Sequence, residues 1–200
     1  MNFSTSIMID IATPKDLKEC LSLIKLVTLD FRGSPEDGFL IFTNPETLRA
    51  IFSEGTVFIA RSSRGICGMI SGYKSDTLLY EQLLPIMNQV EWKPCHQQIN
   101  TNDIVYIHNI VVHPDLRSAS TAFQLWKAFK EYFGEQIFIT SCVESPWSNL
   151  RIPKILHFLK FKRCGIFKSS FMFEFQNYQA GIYIREKNID LPPNLESEKK

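Results

Sequence analysis

One stretch of the 200-residue chain restricts its fold more than any other: VYIHNIVVHPDLRSASTAF, residues 105–123. An alternating apolar run, a His-Pro turn and small polar residues ahead of a helical apolar pattern predict a strand, a loop and a helix. Many proteins hold phosphates this way, because the first N–H groups of a helix have no partner within it. Such loops usually carry glycines, whereas this one has Ser118, Ala119 and Ser120.

The length and composition of the chain predict one compact domain. Hydrophobic residues make up 44% of the chain and aromatic residues 12%, enough to bury a sizeable core. The final stretch, NIDLPPNLESEKK, is polar and contains proline, which is typical of a frayed tail. We therefore expect a single domain over residues 1–186 and a polar tail over 187–200.

Charge and hydropathy argue against two classes of partner. The formal net charge is +1, so no net field draws the chain to nucleic acid or to an anionic membrane. No apolar run approaches the ~18 residues that span a bilayer, and the first residues show no basic segment followed by an apolar one. We expect neither nucleic-acid nor membrane binding.

The cysteines and histidines indicate a reduced, metal-free protein. The five cysteines lie far apart without a CxxC pair, and an odd count is typical of free thiols rather than of a disulfide framework. The four histidines have no zinc-ligand spacing relative to them. These patterns predict a cytoplasmic protein that is not exported.

Hydrophobic periodicity predicts strands and helices in a mixed order. Asn44 is the expected cap of the second helix, and Pro153 must lie in the first turn of its helix, because an interior proline would break it. Residues 76–103 are interpreted as an insertion that covers one edge of a site, with helical spacing broken by Pro85. The predicted order is a strand at 7–11, two helices, a hairpin at 56–75, the insertion, a fourth strand at 105–112, a helix, a fifth strand at 134–145, a helix and two final strands.

This order and three stretches of sequence resemble the GNAT superfamily of acyl-CoA N-acyltransferases. The stretches are VYIHNIVVHPDLRSASTA, SNLRIPKILHFLKF and TVFIARSSRGICGMISGY, and the resemblance covers roughly residues 7–185. It implies an α/β (α+β) fold with a mixed, mostly antiparallel sheet of six to seven strands. Helices would cover both faces, and the fourth and fifth strands would splay apart.

The resemblance also implies acetyl-CoA as the cosubstrate. The pantetheine arm would pair with the main chain of the fourth strand at Ile110, Val111 and Val112. Asn149 matches the asparagine that begins the next helix in many members and contacts the cofactor. The pyrophosphate would lie at the start of the preceding helix, on Arg117, Ser118, Ala119, Ser120, Thr121 and Ala122.

The loop departs from the family pattern, since Ser120 stands where the family usually has glycine. Glycine lets a ligand approach the backbone closely and permits positive φ. A serine can stay helical and donate its hydroxyl as well, so Ser118, Ser120 and Thr121 can retain a phosphate site. In the alternative interpretation, these residues only cap a core helix.

Acyl transfer to an amine needs a base for the amine proton and a hydrogen-bond donor for the departing thiolate. Alternation puts Tyr106, His108 and Ile110 on one face of the fourth strand. An imidazole with an unperturbed pKa near ~6.5 suits a base at neutral pH, so His108 is the candidate, with a core histidine as the alternative. Glu144, at the end of the fifth strand, is a second candidate base or a contact of the substrate amine, with a solvated strand-end carboxylate as the alternative.

The family's usual acid for the thiolate, a tyrosine, is replaced by Leu156. The following Gly-Phe pair of the family then falls on Lys160 and Phe161, which supports the alignment. His157 points about 100° away around the helix. Tyr106 is another possible donor, and so is water.

Two functions remain as hypotheses. The first is an N-acetyltransferase in which an amine of an unidentified small molecule or peptide attacks acetyl-CoA directly. The second is a GNAT-fold module that binds an acyl-CoA or a protein partner without turnover. The missing glycine and tyrosine favour the second, whereas His108 and Asn149 favour the first. The acceptor, the acyl group and the oligomeric state, including a homodimer, stay open.

Overall fold

The computed structural model describes residues 7–28, 40, 44–93, 103–116, 119–173 and 175–187. The strands in these ranges are β1 (Met8–Ile11), β2 (Thr56–Ser62), β3 (Gly65–Lys74), β4 (Glu91–Trp92), β5 (Ile104–Val112), β6 (Ile137–Ser145), β7 (Lys162–Met172) and β8 (Phe175–Arg185). The helices are α1 (Leu17–Val27), α2 (Pro45–Glu54), α3 (Leu78–Met87), α4 (Ala119–Phe133) and α5 (Ile152–Phe158). Within these ranges, no helix combines the length and the apolar composition needed to cross a bilayer.

All the described strands lie in one eight-stranded sheet, in the order β1-β2-β3-β5-β6-β8-β7-β4. β5 and β6 are parallel neighbours, and the other neighbouring pairs are antiparallel. The predicted mixed, mostly antiparallel sheet is confirmed. It has one strand more than the upper bound of the prediction.

The additional strand is β4, which lies in the predicted insertion. It pairs with β7 through Glu91 opposite Ile166 and Trp92 opposite Gly165. A Cβ atom on Gly165 would lie 2.7 Å from Val90 Cγ1, so the glycine allows the β4 segment to approach β7 closely. Because β4 has only two residues, it has no periodicity that a sequence pattern could detect.

The rest of the described insertion is α3, which continues through Pro85. Thr77 caps it, since its Oγ1 accepts a hydrogen bond from the Tyr80 N–H at 3.3 Å. α3 packs against α2 and β3. Residues 94–102 of the insertion, including Cys95, lie outside the described residues.

Helices cover both faces of the sheet, as predicted. On one face, α1, α2 and α3 pack over a core that includes Ile59, Met69 and Tyr73. On the other face, α4 and α5 pack over a second core, in which Trp126 and Phe129 of α4 are fully buried. The sheet is therefore the middle layer of three.

Three local predictions hold in the structure. Asn44 caps α2, because its Oδ1 accepts a hydrogen bond from the Glu46 N–H at 2.9 Å. Pro153 lies in the first turn of α5. The described cysteines are buried and free, as expected for reduced thiols; they are Cys20, Cys67, Cys142 and Cys164.

A β-bulge interrupts β5 at His108. In the register of β3 with β5, Ser71 lies opposite Asn109, and the next residue of β3, Gly72, lies opposite Ile107. His108 is therefore an extra residue without a partner in β3, which is the definition of a bulge. It shifts the alternation of β5 by one position.

The bulge corrects one prediction about this strand. Tyr106 and Val111 belong to the core on the α1 face, whereas Ile110 packs against the core on the α4 face. His108 stays near Tyr106, since its ring centroid lies 6.4 Å from that of Tyr73 in the same core. The prediction that Ile110 shares a face with Tyr106 is wrong, because it assumed unbroken alternation.

The close approach of β3 to β5 at the bulge predicts that a larger residue at Gly72 lowers the stability of the fold. A Cβ atom on Gly72 would overlap the Tyr106 main-chain oxygen and lie 2.8 Å from Phe129 Cζ. We expect Gly72→Ala to lower the free energy of unfolding by about 3 kcal/mol in urea denaturation. Gly134→Ala is the control: no heavy atom lies within 4 Å of its Cβ position, and its φ of +68° costs alanine only about 1 kcal/mol. Equal losses in the two variants would contradict this packing.

Candidate active site

The sheet opens between its two parallel strands. β5 and β6 pair from Ile104 opposite Ile137 to Ile107 opposite Thr140, and the pairing ends there. The Thr140 hydroxyl donates to the Ile107 carbonyl oxygen at 3.0 Å and closes the last pair. Beyond it, β5 stays paired with β3 and β6 with β8, so the strands separate. The predicted splay is confirmed, and a cavity of about 300 Å³ lies in the gap.

The cavity reaches both cores. We call the part beneath α1 the α1 half; its lining includes Val27, Leu40, Tyr106, Val111 and Tyr178. The part beneath α4 and α5 is the α4 half, and its lining includes Ile110, Trp126, Cys142, Ile152, Leu156 and Phe161. Among the described lining residues, Arg151 at the start of α5 carries the only formal charge. The cavity is thus mainly apolar, with a few polar groups at the gap.

Beyond Ile107, the edge of β5 that faces this cavity pairs with no other described strand. The His113 N–H donates to the Cys67 carbonyl oxygen at 2.7 Å, toward β3. In an antiparallel pair, residues that bond to the partner strand alternate with residues whose main-chain groups point away. Counting back from His113, the N–H and C=O groups of Val112 and Ile110 point into the gap, whereas those of Val111 point toward β3.

His108 brings an imidazole to the cavity. Its side chain is half-buried, lines the cavity and makes no hydrogen bond to another described residue. Burial lowers the pKa of His108 to about 4, because a low-dielectric environment disfavours the charged form. At neutral pH the imidazole is therefore uncharged and has a lone pair available, although it is a weak base.

Two phenol groups line the same cavity as the imidazole. The hydroxyls of Tyr106 and Ser141 are 3.0 Å apart and form a hydrogen bond between β5 and β6 where their pairing ends, since Tyr106 lies opposite Ile139 and Ser141 follows Thr140 of the last pair. Burial raises the pKa of Tyr106, while the bond to Ser141 lowers it. Burial also raises the pKa of Tyr178, a residue of β8 that lines the cavity. Both phenols keep their protons at neutral pH and can act as hydrogen-bond donors.

Glu144 of β6 is paired with Arg163 of β7, across the intervening strand β8. The Arg163 Nε and Nη2 groups donate to its two carboxylate oxygens at 2.6 Å and 2.7 Å, a bidentate arrangement. A side-chain atom on Gly181 would overlap the carboxylate, so this glycine makes room for the pair. Glu144 is not among the described residues that line the cavity. The structure thus separates it from Tyr106 and His108, with which the sequence analysis grouped it.

The start of α4 lies beside the α4 half of the cavity. Ala122 is 5% exposed and lines the cavity, and Thr121 is fully buried. Ser120 is exposed, and its hydroxyl accepts a hydrogen bond from Gln124 Nε2 at 3.0 Å. The predicted residues Arg117 and Ser118 and the side chain of Ala119 lie outside the described part of the structure.

Asn149 connects the gap to α5. It is 4% exposed and lines the cavity. Its N–H donates to the Val143 carbonyl oxygen of β6 at 3.1 Å, and its Oδ1 accepts from the Ile152 N–H at 3.1 Å. The side chain therefore caps the start of α5 and fixes it against β6.

Leu156 lies in the cavity wall, at the position where the family resemblance implies a tyrosine. Its side chain is 4% exposed and belongs to the core beneath α4 and α5. His157 is exposed and is not among the described lining residues. The phenols of this cavity come instead from Tyr106 and Tyr178 on the sheet.

Asn109 and Tyr178 are among the cavity residues that the sequence analysis missed. Asn109 has a signal in the sequence, since it is a polar residue in the middle of the apolar run IHNIVV. Tyr178 has no local signal, because β8 reaches the gap only through its long-range pairing with β6. The hydroxyl of Tyr178 forms no hydrogen bond with another described residue.

The structure resembles solved acetyltransferases in fold. It matches an acetyltransferase of the GNAT family from Streptococcus agalactiae with a TM-score of 0.64 and 14% identity, over 92% of this chain and 96% of that one. It matches Arabidopsis thaliana NAA60 in complex with acetyl-CoA with a TM-score of 0.61 and 11% identity, over 90% of this chain and 99% of that one. For the ribosomal-protein-S18-alanine N-acetyltransferase from Escherichia coli, the TM-score is 0.62 and the identity 12%, over 95% and 99% of the two chains.

These identities are low, so the likeness is one of fold: the chain has the GNAT fold. No protein-family model matches the sequence, and no curated protein matches it. The fold predicted from the resemblance is confirmed by the three-dimensional comparison.

The lowered pKa of His108 predicts how stability depends on pH. Burial lowers the pKa from an ordinary 6.5 to about 4, so the unfolded chain binds more protons between these values. The stabilisation is present above about pH 6.5 and is lost as the pH falls through about 4. We expect the free energy of unfolding to fall less over this window in His108→Gln than in the wild type. His157→Gln, at an exposed histidine, is the control, and identical pH profiles for wild type and His108→Gln would contradict the burial of the imidazole.

The hydrogen bond across the gap can be measured by a double-mutant cycle. Tyr106→Phe and Ser141→Ala each remove one hydroxyl of the pair that is 3.0 Å apart. We expect a coupling energy of about 1 kcal/mol between them in chemical denaturation. Additive single-mutant effects would show that the two strands are not joined at this point.

Proposed function

We propose that the chain is an N-acetyltransferase that transfers the acetyl group of acetyl-CoA to an amine of a small molecule or peptide. The observation that carries the proposal is the gap between β5 and β6. There, an edge of β5 that pairs with no described strand and an imidazole that makes no hydrogen bond to a described residue meet an apolar cavity. The fold of known acetyltransferases supports it. The buried free cysteines suit a reducing compartment, and we infer a cytoplasmic site of action.

In this proposal acetyl-CoA lies along the α4 half. Its pantetheine arm carries two amide groups, which can bond to the main chain of Ile110 and Val112 like a short added strand. The pyrophosphate lies at the start of α4, where the first N–H groups have no partner within the helix and the dipole is positive. Ser120 and Thr121 lie in this first turn, preceded by the predicted Arg117 and Ser118.

The amine approaches from the α1 half and attacks the thioester carbon. A C–N bond forms, the C–S bond breaks, and the nitrogen loses a proton to the neutral imidazole of His108, directly or through water. Because the pKa of His108 is about 4, the imidazolium readily gives this proton up, directly or through water, to the departing thiolate, which becomes the thiol of CoA. Among the described lining residues of the α1 half there is no carboxylate, which favours the uncharged, nucleophilic form of the amine.

The departing thiolate needs a hydrogen-bond donor. The family's usual donor is a tyrosine, and Leu156, which cannot donate, stands at its position. We assign this role to Tyr106, because its hydroxyl lies where the β5–β6 pairing ends, at the start of the gap that would hold the thioester. Glu144 is left out of the proton transfer, since Arg163 already engages both of its oxygens.

The second candidate function is an acyl-CoA-binding module without turnover. Leu156 favours it, because an apolar group replaces the expected acid. Ser120 favours it as well, because it replaces the glycine that allows close approach of the phosphates. The two functions share the cofactor site and differ in whether His108 moves a proton.

The function is tested by acetyl-CoA binding and by release of free thiol. At an acetyl-CoA concentration of 100 times Kd, we expect stabilisation by about 2.7 kcal/mol. With a panel of amines, we expect thiol release by the wild type and a rate about 100-fold lower in His108→Gln, since glutamine cannot relay a proton.

The control for this experiment is His157→Gln, which changes an exposed histidine away from the cavity and should keep wild-type turnover. Binding of acetyl-CoA without thiol release for any amine would establish the binding module instead. Absence of stabilisation at millimolar acetyl-CoA would reject both functions. Wild-type turnover in His108→Gln would reject the role of His108 alone.

A further inference from the structure

Asn109 is a buried polar residue that the proposed reaction does not use. It is 6% exposed, lines the cavity, and its Nδ2 atom is buried without a hydrogen-bond partner among the described residues. Buried amide groups are nearly always hydrogen-bonded, because an unmet donor loses its bonds to water and gains nothing in return. Because Asn109 lines the cavity, a rotation of its amide group would present this donor to a ligand there.

The side chain of Asn109 belongs to the α1 half of the cavity. Its partner in the register is Ser71, which lies between Met69 and Tyr73 on β3, and both of these side chains belong to the core beneath α1. The bulge at His108 places the imidazole and the amide at successive positions of the strand, both lining the cavity. A molecule whose amine lies at His108 therefore has its neighbouring atoms near the Asn109 amide.

The surroundings of the amide define the kind of group that can bind there. The α1 half contains the aromatic rings of Tyr106 and Tyr178, and Phe173 lines the cavity 5.6 Å from Tyr178, measured between ring centroids. No described lining residue of this half carries a cation that could pair with a carboxylate. A neutral oxygen acceptor next to an apolar or aromatic substituent fits these features, whereas a free carboxylate does not.

We propose that Asn109 recognises the carboxamide oxygen of an α-amino amide, so that the acceptors of this enzyme are amino-acid amides or peptides with an apolar or aromatic first side chain. Nδ2 donates to the carboxamide oxygen while the α-amine lies at His108. This inference rests on the proposed acetyl transfer and names its acceptor class.

Ser71 offers a competing explanation of the buried amide. Its hydroxyl is fully buried and also lacks a partner among the described residues, and it lies opposite Asn109 in the register. If the two side chains turned to bond with each other, the amide would serve the fold alone. Ser71 is not among the described residues that line the cavity, so substituting it separates the two explanations.

The experiment compares L-phenylalaninamide with 2-phenylethylamine, which lacks only the carboxamide. Thiol release gives kcat/KM for each amine in wild type, Asn109→Leu, Asn109→Ala and Ser71→Ala. The measured quantity is the ratio of the two kcat/KM values in each protein. Comparing this ratio between variants cancels the intrinsic difference in basicity of the two amines. We expect the ratio to fall about tenfold in both Asn109 variants and to stay at the wild-type value in Ser71→Ala.

Each result decides the inference. An unchanged ratio in folded Asn109→Leu or Asn109→Ala would overturn it, and so would an equal fall in Ser71→Ala, which would make Ser71 the partner of the amide. Free L-phenylalanine is the third probe, and we expect it to be a poorer acceptor than its amide. A preference for the free acid would also overturn the inference.

Failure of the proposed function is distinguishable from failure of this inference. If the wild type acetylates 2-phenylethylamine but does not discriminate the amide through Asn109, only the inference fails. If it acetylates neither amine, acetyl transfer fails, and thermal shifts in the presence of CoA decide the binding claim. A larger shift with L-phenylalaninamide that is lost in Asn109→Leu supports recognition by Asn109, and equal shifts reject it.

Discussion

The pairing between β5 and β6 is the constraint on which this site depends. It is the only parallel pair among the described strands, and it ends at Ile107 and Thr140 while each strand stays fixed on its outer side by an antiparallel partner. In the described part of the chain, main-chain groups of β5 are therefore left without a strand partner in the middle of the sheet. Because buried main-chain groups require hydrogen-bond partners, a gap of this kind favours a ligand that carries amides of its own.

The bulge at His108 gives the same strand its chemical groups. An extra residue in β5 places an imidazole and an amide side by side at the cavity, while the main chain of Ile110 and Val112 still faces the gap. In the proposed function, cofactor binding and proton transfer thus use different atoms of one strand. The same proposal assigns Tyr106 to the role of the acid, because Leu156 stands at the position of the usual tyrosine.

Much of the fold could be predicted from sequence because its signals are local. The apolar run at residues 105–112, the Asn44 cap and the turn position of Pro153 each depend on neighbouring residues, and each matches the structure. Other features depend on long-range pairing, so no local sequence pattern predicts them; they are the short strand β4, the bulge and the position of Tyr178 at the gap. The pairing of Glu144 with Arg163 is long-range as well, because it joins strands that are separate in sequence. The sequence analysis, which named Glu144 as a candidate base, could not show this pairing.

The central claim is that acetyl-CoA binds in the gap between β5 and β6. Amide hydrogen exchange of β5, measured with and without acetyl-CoA, tests it most directly. We expect exchange at Ile110 and Val112 to slow at least about tenfold on saturation, because their N–H groups gain partners, while exchange at β1 on the sheet edge stays the same. Unchanged exchange at both residues under saturating acetyl-CoA, or protection confined to other strands, would contradict the account.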